Sequence, residues 1–148
     1  MQHRVTDFMT LVVAAYKKLQ QIKKKQTALY AAYDIKSQHV MVLFFLGHHS
    51  SGLTVTELAN FCCEDKSATS RAVEYLVERG YAVHEEDIAR RRWRSKVKIT
   101  PAGMRLCRII DHVSIEASNV VKEGISDEDL QVFYRVFHQI VKNMDRFL

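Results

Sequence analysis

Leu53-Thr-Val-Thr-Glu-Leu-Ala59, Asp65-Lys-Ser-Ala-Thr-Ser-Arg71, Leu76-Val-Glu-Arg-Gly80-Tyr81 and Val97-Lys-Ile-Thr100-Pro-Ala-Gly103 follow one another in the middle of the chain. Thr54 and Glu57 have the spacing of a capping box, in which the hydroxyl accepts from the Glu57 backbone and the carboxylate reaches back. They open a helix over 55–62 with Val55, Leu58, Ala59 and Cys62 inward. Glu64 and Asp65 suit the positive end of the next helix, expected over 66–79 and stopped by Gly80. Its apolar face is Ala68, Ala72, Val73, Leu76 and Val77. Lys66, Ser67, Thr69, Ser70 and Arg71 fall mostly outside that face, and such short polar and cationic groups suit base edges and phosphates. Residues 81–85 have strand character. Residues 94–99 alternate, with Val97 and Ile99 on one side and Lys96 and Lys98 on the other. The two pair as a hairpin with an arginine run at its tip. Residues 88–99 hold six basic side chains and no acidic one. Two compact helices followed by a basic ribbon suit a nucleic acid backbone. Two strands alone are marginal, so the hairpin must lean on the helices.

Outward from this stretch the pattern is helical. Apolar residues at Val5, Phe8, Val12, Tyr16, Leu19, Ile22, Leu29 and Tyr33 keep close to a 3.6 period, and the other face carries Lys17, Lys18, Lys23, Lys24 and Lys25. So long a helix exceeds what one small domain needs to cover its core, and the surplus face suits a partner subunit. A break near Asp34-Ile35 precedes a helix over 36–49, with Val40, Leu43, Phe44 and Leu46 buried. Thr100-Pro101 starts another helix, Thr as cap and Pro at the first helical position. It ends at Gly124, and Ser126 caps the last helix. The expected fold is mainly α with a small β-hairpin: a winged helix-turn-helix flanked by long N- and C-terminal dimerisation helices. One domain spans 1–148, with 36–100 as the winged part and 1–33 and 101–148 as dimerisation helices.

The 148 residues carry a net charge of +5 and a pI near 9.2, which points mildly to an anionic partner. No signal peptide and no apolar run long enough to span a bilayer is present, so no membrane is expected. Three cysteines make no disulfide framework and fit a reducing cytoplasm. No Gly-rich phosphate loop, nucleophile elbow or metal-ligand spacing appears, so neither an enzyme nor a bound cofactor is expected.

The four quoted blocks, in this order and near this spacing, resemble the MarR family of bacterial transcription regulators. The resemblance is specific over the central part of the chain and extends to the whole at the level of helix order. It implies a two-fold dimer whose first and last helices intertwine between subunits. It also implies a recognition helix in the major groove of double-stranded DNA and a wing in the adjacent minor groove. On that resemblance Lys66, Ser67, Thr69, Ser70 and Arg71 are the candidate readers. A two-fold dimer predicts a pseudo-palindromic operator with half-sites about one helical turn apart. The family's wing usually carries Asp-x-Arg, the aspartate aiming the arginine. Here those places hold Arg91 and Trp93 counted back from Thr100, or Arg90 and Arg92 counted forward from Gly80. Either way the aspartate is missing, and the spacing does not put Asp87 in its place. Arg92 is the expected minor-groove side chain, with Arg90, Arg91, Arg94 and Lys96 toward phosphates and Trp93 bracing the wing or lying on the backbone.

The expected function is sequence-specific duplex-DNA binding by a homodimeric transcription repressor. Its effector would be a small molecule bound between dimerisation and reading helices. An interaction module for protein or RNA is the alternative, as is a redox- or metal-sensing regulator of the same fold. Cys62 and Cys107 fall on apolar faces and read as small core residues; Cys63, at a helix end, stays open. His39, His48, His49, His84, His112 and His138 show no His-x₃-His spacing, so no metal site is expected. Tyr30, Tyr33, Phe44, Phe45 and Phe61 suit an effector pocket or the core equally.

Overall fold

The computed structural model describes residues 2–85 and 95–148. Its elements are α1 (Gln2–Leu29), α2 (Ser37–Gly47), α3 (Val55–Cys62), α4 (Lys66–Glu78), β1 (Ala82–His84), β2 (Val97–Ile99), α5 (Pro101–Lys122) and α6 (Asp127–Met144), with short 3₁₀ turns at Ala31–Tyr33 and Asp145–Phe147. The chain divides into two compact units, Met1–Val113 and Ser114–Leu148. The winged helix-turn-helix expected from the sequence is present in the first.

The helix boundaries follow their caps. Glu57 N donates to Thr54 Oγ1 at 3.2 Å and Thr54 N donates to Glu57 Oε2 at 2.7 Å, so the capping box closes in both directions. The Thr54 backbone N–H, and then the Thr54 hydroxyl, hold the Glu57 carboxyl below its usual range. Ahead of α4, the Asp65 carboxylate accepts from Ala68 N at 2.8 Å. The Thr100 hydroxyl accepts from Gly103 N at 3.1 Å at the start of α5 and donates to Gly80 O at 2.6 Å. Gly103 must be glycine, because a Cβ there would stand 2.0 Å from Tyr81 O.

The core of the first unit is built from Leu43 and Leu46 of α2, Leu58 of α3, Ala72, Val73 and Leu76 of α4, Val97 of β2, and Leu106 and Ile110 of α5. Val42 is also buried, whereas Val40 and Phe44 only pack against the core. Strands β1 and β2 pair antiparallel, Ala82 opposite Ile99 and His84 opposite Val97. The hairpin gains a third backbone segment that the sequence reading did not anticipate. Leu53 N donates to Val97 O at 3.0 Å, and Val97 N donates to Leu53 O at 2.7 Å. This bridge ties the wing's stem to Leu53, the residue just ahead of the Thr54 cap of α3, supplying support that a lone hairpin lacks.

Helix α1 carries exposed Met9, Leu11, Val13, Tyr16, Leu19 and Ile22. In the second unit, α6 is capped by Ser126, whose hydroxyl accepts from Asp129 N at 3.1 Å. Three acidic residues in its first turn complement the positive helix end. Its apolar face, Val132, Phe133, Val136, Phe137, Val141 and Met144, is exposed. Among the described residues no helix is long and apolar enough to cross a membrane.

Leu43, fully buried, sits where α2 meets the rest of the core. Leu43→Ala should lower the unfolding free energy by about 2–5 kcal/mol, read by urea unfolding at fixed protein concentration. A loss well under about 1 kcal/mol would mean that this packing is not a determinant of the fold.

Candidate nucleic-acid interface

Helix α3 ends on Cys63 in the left-handed conformation, φ 52° and ψ 41°. Cys63 N donates to Asn60 O at 3.3 Å and Glu64 N to Ala59 O at 3.1 Å, so the last carbonyls of α3 are used and the chain reverses within three residues. The turn delivers Asp65 as the cap of α4. Its buried stripe is Thr69, Ala72, Val73 and Leu76.

That stripe fixes what stays outside. Lys66, Ser67 and Arg71 are exposed and Ser70 is half-buried. Arg71 Nη1 donates to Ser67 Oγ at 2.7 Å, so the two lie one turn apart on a single outward face. Thr69 corrects the sequence reading, which put it with the outward polar residues. It is 2% exposed, and its hydroxyl donates to Asp65 O at 3.0 Å. One turn before Ala72 and Val73, the position has no route out of the core stripe. The outward set at the start of α4 is therefore Lys66, Ser67, Ser70 and Arg71.

The wing tip residues Arg90, Arg91, Arg92, Trp93 and Arg94 lie outside the described residues. The stem below them is described. Lys96 is half-buried, and its carbonyl accepts from Glu85 N at 2.7 Å. Lys98 Nζ pairs with Glu85 Oε1 at 2.7 Å, and His84 Nε2 meets Glu74 Oε1 of α4 at 3.0 Å. The stem is thus joined to α4 as well as to Leu53.

The far end of α4 is held by groups that sequence reasoning missed. Tyr75 Oη donates to Asp34 O at 2.6 Å, and the Arg79 guanidinium pairs with the Asp34 carboxylate. Arg79 also lies over the Tyr75 ring, 5.1 Å from its centre. His39 stacks on the other side of the network, 4.3 Å from Tyr75 at 9°. Burial, then the nearby Lys36 charge, lowers the His39 pKa, and its Nδ1 accepts from Lys36 N at 3.0 Å, as a neutral ring can. Asp34 itself adopts φ 53°. A break at Asp34-Ile35 was legible; that its aspartate reaches a residue forty-five positions on was not.

A cleft of about 660 Å³ lies beside the junction of α1 and α2, lined in part by Lys23, Lys24, Asp34 and Lys36. None of the aromatics considered for an effector pocket lines it. Tyr30 is buried in the core, Phe44 and Phe45 pack on the core, and Phe45 stacks on Phe61 at 5.2 Å. Tyr33 is exposed.

Cys62 is half-buried, Cys63 exposed and Cys107 buried. Burial, with Glu64 adding, pushes the Cys62 thiol up to about 11, and burial, with Asp111 adding, does the same for Cys107.

Residues 33–92 match the model of the MarR family. No curated protein matches the sequence. Many solved structures share the fold. A MarR-family transcriptional regulator from Silicibacter pomeroyi is 20% identical, with 88% of this chain and 86% of that one covered at a TM-score of 0.76. A MarR protein from Peptoclostridium difficile is 17% identical, with 92% and 88% covered at 0.78. Staphylococcus aureus MarR, solved in complex with salicylate and kanamycin, is 17% identical, with 95% and 92% covered at 0.74.

A thiol at about 11 is only about one part in a thousand thiolate at pH 8, and the thiolate is the nucleophile. Iodoacetamide at pH 8 should therefore modify Cys63 well before Cys62 or Cys107, as followed by peptide mass mapping. Equal labelling of all three would contradict the burial of the other two.

Proposed function

We propose that this chain, whose residues 33–92 match the model of the MarR family, is a homodimeric, sequence-specific DNA-binding transcription repressor. The observation that carries this reading is the outward face at the start of α4. Lys66, Ser67, Ser70 and Arg71 stand together on the second helix of a helix-turn-helix, free of the core that the same helix buries. Arg71 is the candidate for bidentate contact with a guanine edge. Ser67 tethers it in the free protein, and Lys66 is placed for a phosphate. Arg92 is assigned to the minor groove, with Arg90, Arg91, Arg94 and Lys96 on phosphates and Trp93 against the sugar-phosphate backbone. Repression is steric, by occupation of a pseudo-palindromic operator in the bacterial cytoplasm.

The dimer is supported by apolar faces that the single chain leaves in water. Among the described residues, six large apolar side chains of α1 and seven of α6 are exposed, and exposed apolar surface of this kind marks an interaction face. A second copy of the chain covers them and sets two reading heads about one helical turn apart. A small anionic effector would suit the cleft beside Lys23, Lys24 and Lys36. The salicylate complex of the Staphylococcus aureus relative favours that chemistry. Such a ligand acts only through its different affinity for the two spacings of the heads.

Fluorescence anisotropy with duplex DNA from the chain's own promoter tests the reading. Binding should weaken on the order of a thousandfold between low and moderate salt, given roughly 6–10 neutralised phosphates per dimer. Arg71→Ala should cost about 1–3 kcal/mol and relax preference at one base position. Replacing Arg90, Arg91 and Arg92 with alanine should weaken all sequences alike and reduce the salt slope. Binding that ignores salt and both sets of variants would favour an interaction module instead. In sedimentation the wild type should run as a dimer and Phe137→Glu as a monomer; a monomeric wild type at micromolar concentration would remove the basis for the two-fold operator.

A further inference from the structure

The last turn of α2 and the first half of α5 bring together three side chains that stand far apart in sequence. His48 Nε2 lies 3.7 Å from Asp111 Oδ1, and Cys107 Sγ lies 3.9 Å from Asp111 Oδ2. One ligand atom from each of His48, Cys107 and Asp111 falls within 4.8 Å of the others. Cys107 and Asp111 are one helical turn apart, so both project from the same face of α5.

Three features of this cluster go beyond proximity. The first is the histidine's tautomer. His48 Nδ1 is 2.8 Å from Phe44 O, a carbonyl that can only accept, so Nδ1 carries the hydrogen. In the neutral ring the lone pair is then on Nε2, the atom that faces Asp111. A backbone carbonyl holding the second ring nitrogen is the usual arrangement behind a metal-bound histidine. The second feature is Asp111 Oδ1, which is shielded from solvent and has no hydrogen-bond partner among the described residues. A lone pair and a carboxylate oxygen facing each other across 3.7 Å call for a positive centre between them. The third is Gly47. A Cβ there would stand 2.2 Å from Cys107 Sγ, so the absent side chain is what lets the end of α2 come down on the thiol.

We propose that His48, Cys107 and Asp111 form a zinc site that fastens the end of α2 to α5. A nitrogen, a sulfur and a carboxylate oxygen make a donor set suited to a borderline-soft, tetrahedral divalent ion. Bond lengths of zinc to such ligands imply ligand separations of about 3.3–3.7 Å. The 3.7 Å and 3.9 Å approaches engage different oxygens of the Asp111 carboxylate, and one atom from each residue lies within 4.8 Å of the others, so binding draws the three together by up to about 1 Å. The Asp111 carboxylate can turn toward His48 Nε2 while His48 Nδ1 keeps its bond to Phe44 O. Binding replaces the thiol proton, which leaves to solvent, and a water completes the fourth position. The spacing rules for metal motifs do not find this site, because its ligands come from two helices rather than from one local motif. It stands whether or not the chain reads DNA.

Cobalt is the probe, since its thiolate charge-transfer band and its tetrahedral visible bands report sulfur ligation and geometry directly. Reduced, chelator-treated protein titrated with cobalt should develop both bands with an endpoint of one ion per chain, and zinc should then displace the cobalt and bleach them. His48→Gln and Asp111→Asn should each weaken binding by on the order of tenfold or more. Cys107→Ser should lose the charge-transfer band, while the Cys62→Ser, Cys63→Ser double variant should keep it. His48→Gln changes an exposed residue, so the test does not hang on whether Cys107→Ser folds. Zinc should also raise the Tm of the wild type and leave that of Asp111→Asn unmoved. Absence of the bands in the wild type, their persistence in Cys107→Ser, or their loss in the Cys62 and Cys63 variant would each overturn the assignment.

Discussion

The buried stripe of α4 is the constraint on which the rest of the reading head depends. Thr69, Ala72, Val73 and Leu76 are inward because they pack with Leu43 and Leu46 of α2 and Leu58 of α3. A helix can turn only one face to such a core, so this packing sets the rotation of α4 about its axis. Lys66, Ser67 and Arg71 are outward as a consequence. A rotation by one residue would bring Ser70 toward the core and turn Thr69 and Leu76 out of it. The stripe therefore settles stability and the composition of the presented face together.

Everything around α4 holds that orientation. Asp65 caps its start, the Asp34–Tyr75–Arg79 network holds its end, and Glu74 reaches His84 on the wing stem. The exposed ion pairs in this set contribute little stability individually. Their value is geometric, because each fixes a different point along the helix. The stem is fixed in turn by Leu53, whose two backbone bonds to Val97 join it to the turn ahead of α3. Helix, turn and wing stem are thus tied to one another.

The site candidates divide along the same line. A polar residue near a helix start is equally consistent with base contact and with a back-bond to the helix's own first carbonyl. Thr69 takes the second course because its neighbours on the stripe are apolar. His48, Cys107 and Asp111 show the converse. Each is unremarkable in its own segment, and only the close approach permitted by Gly47 gives them a common centre.

The local features were legible in the amino-acid order. Capping residues, glycine stops and the 3.6 and 2.0 periods determined where α3, α4 and the hairpin strands lie, because they act within a few residues of backbone. The Thr54–Glu57 box and the Thr100 and Ser126 caps are of this kind. What tertiary structure decided are the contacts between segments distant in the chain: the Leu53–Val97 bridge, the reach of Asp34 to α4, the inward turn of Thr69 and the His48–Cys107–Asp111 cluster. No period or spacing encodes these, since they depend on which faces of separate helices meet once the core has closed.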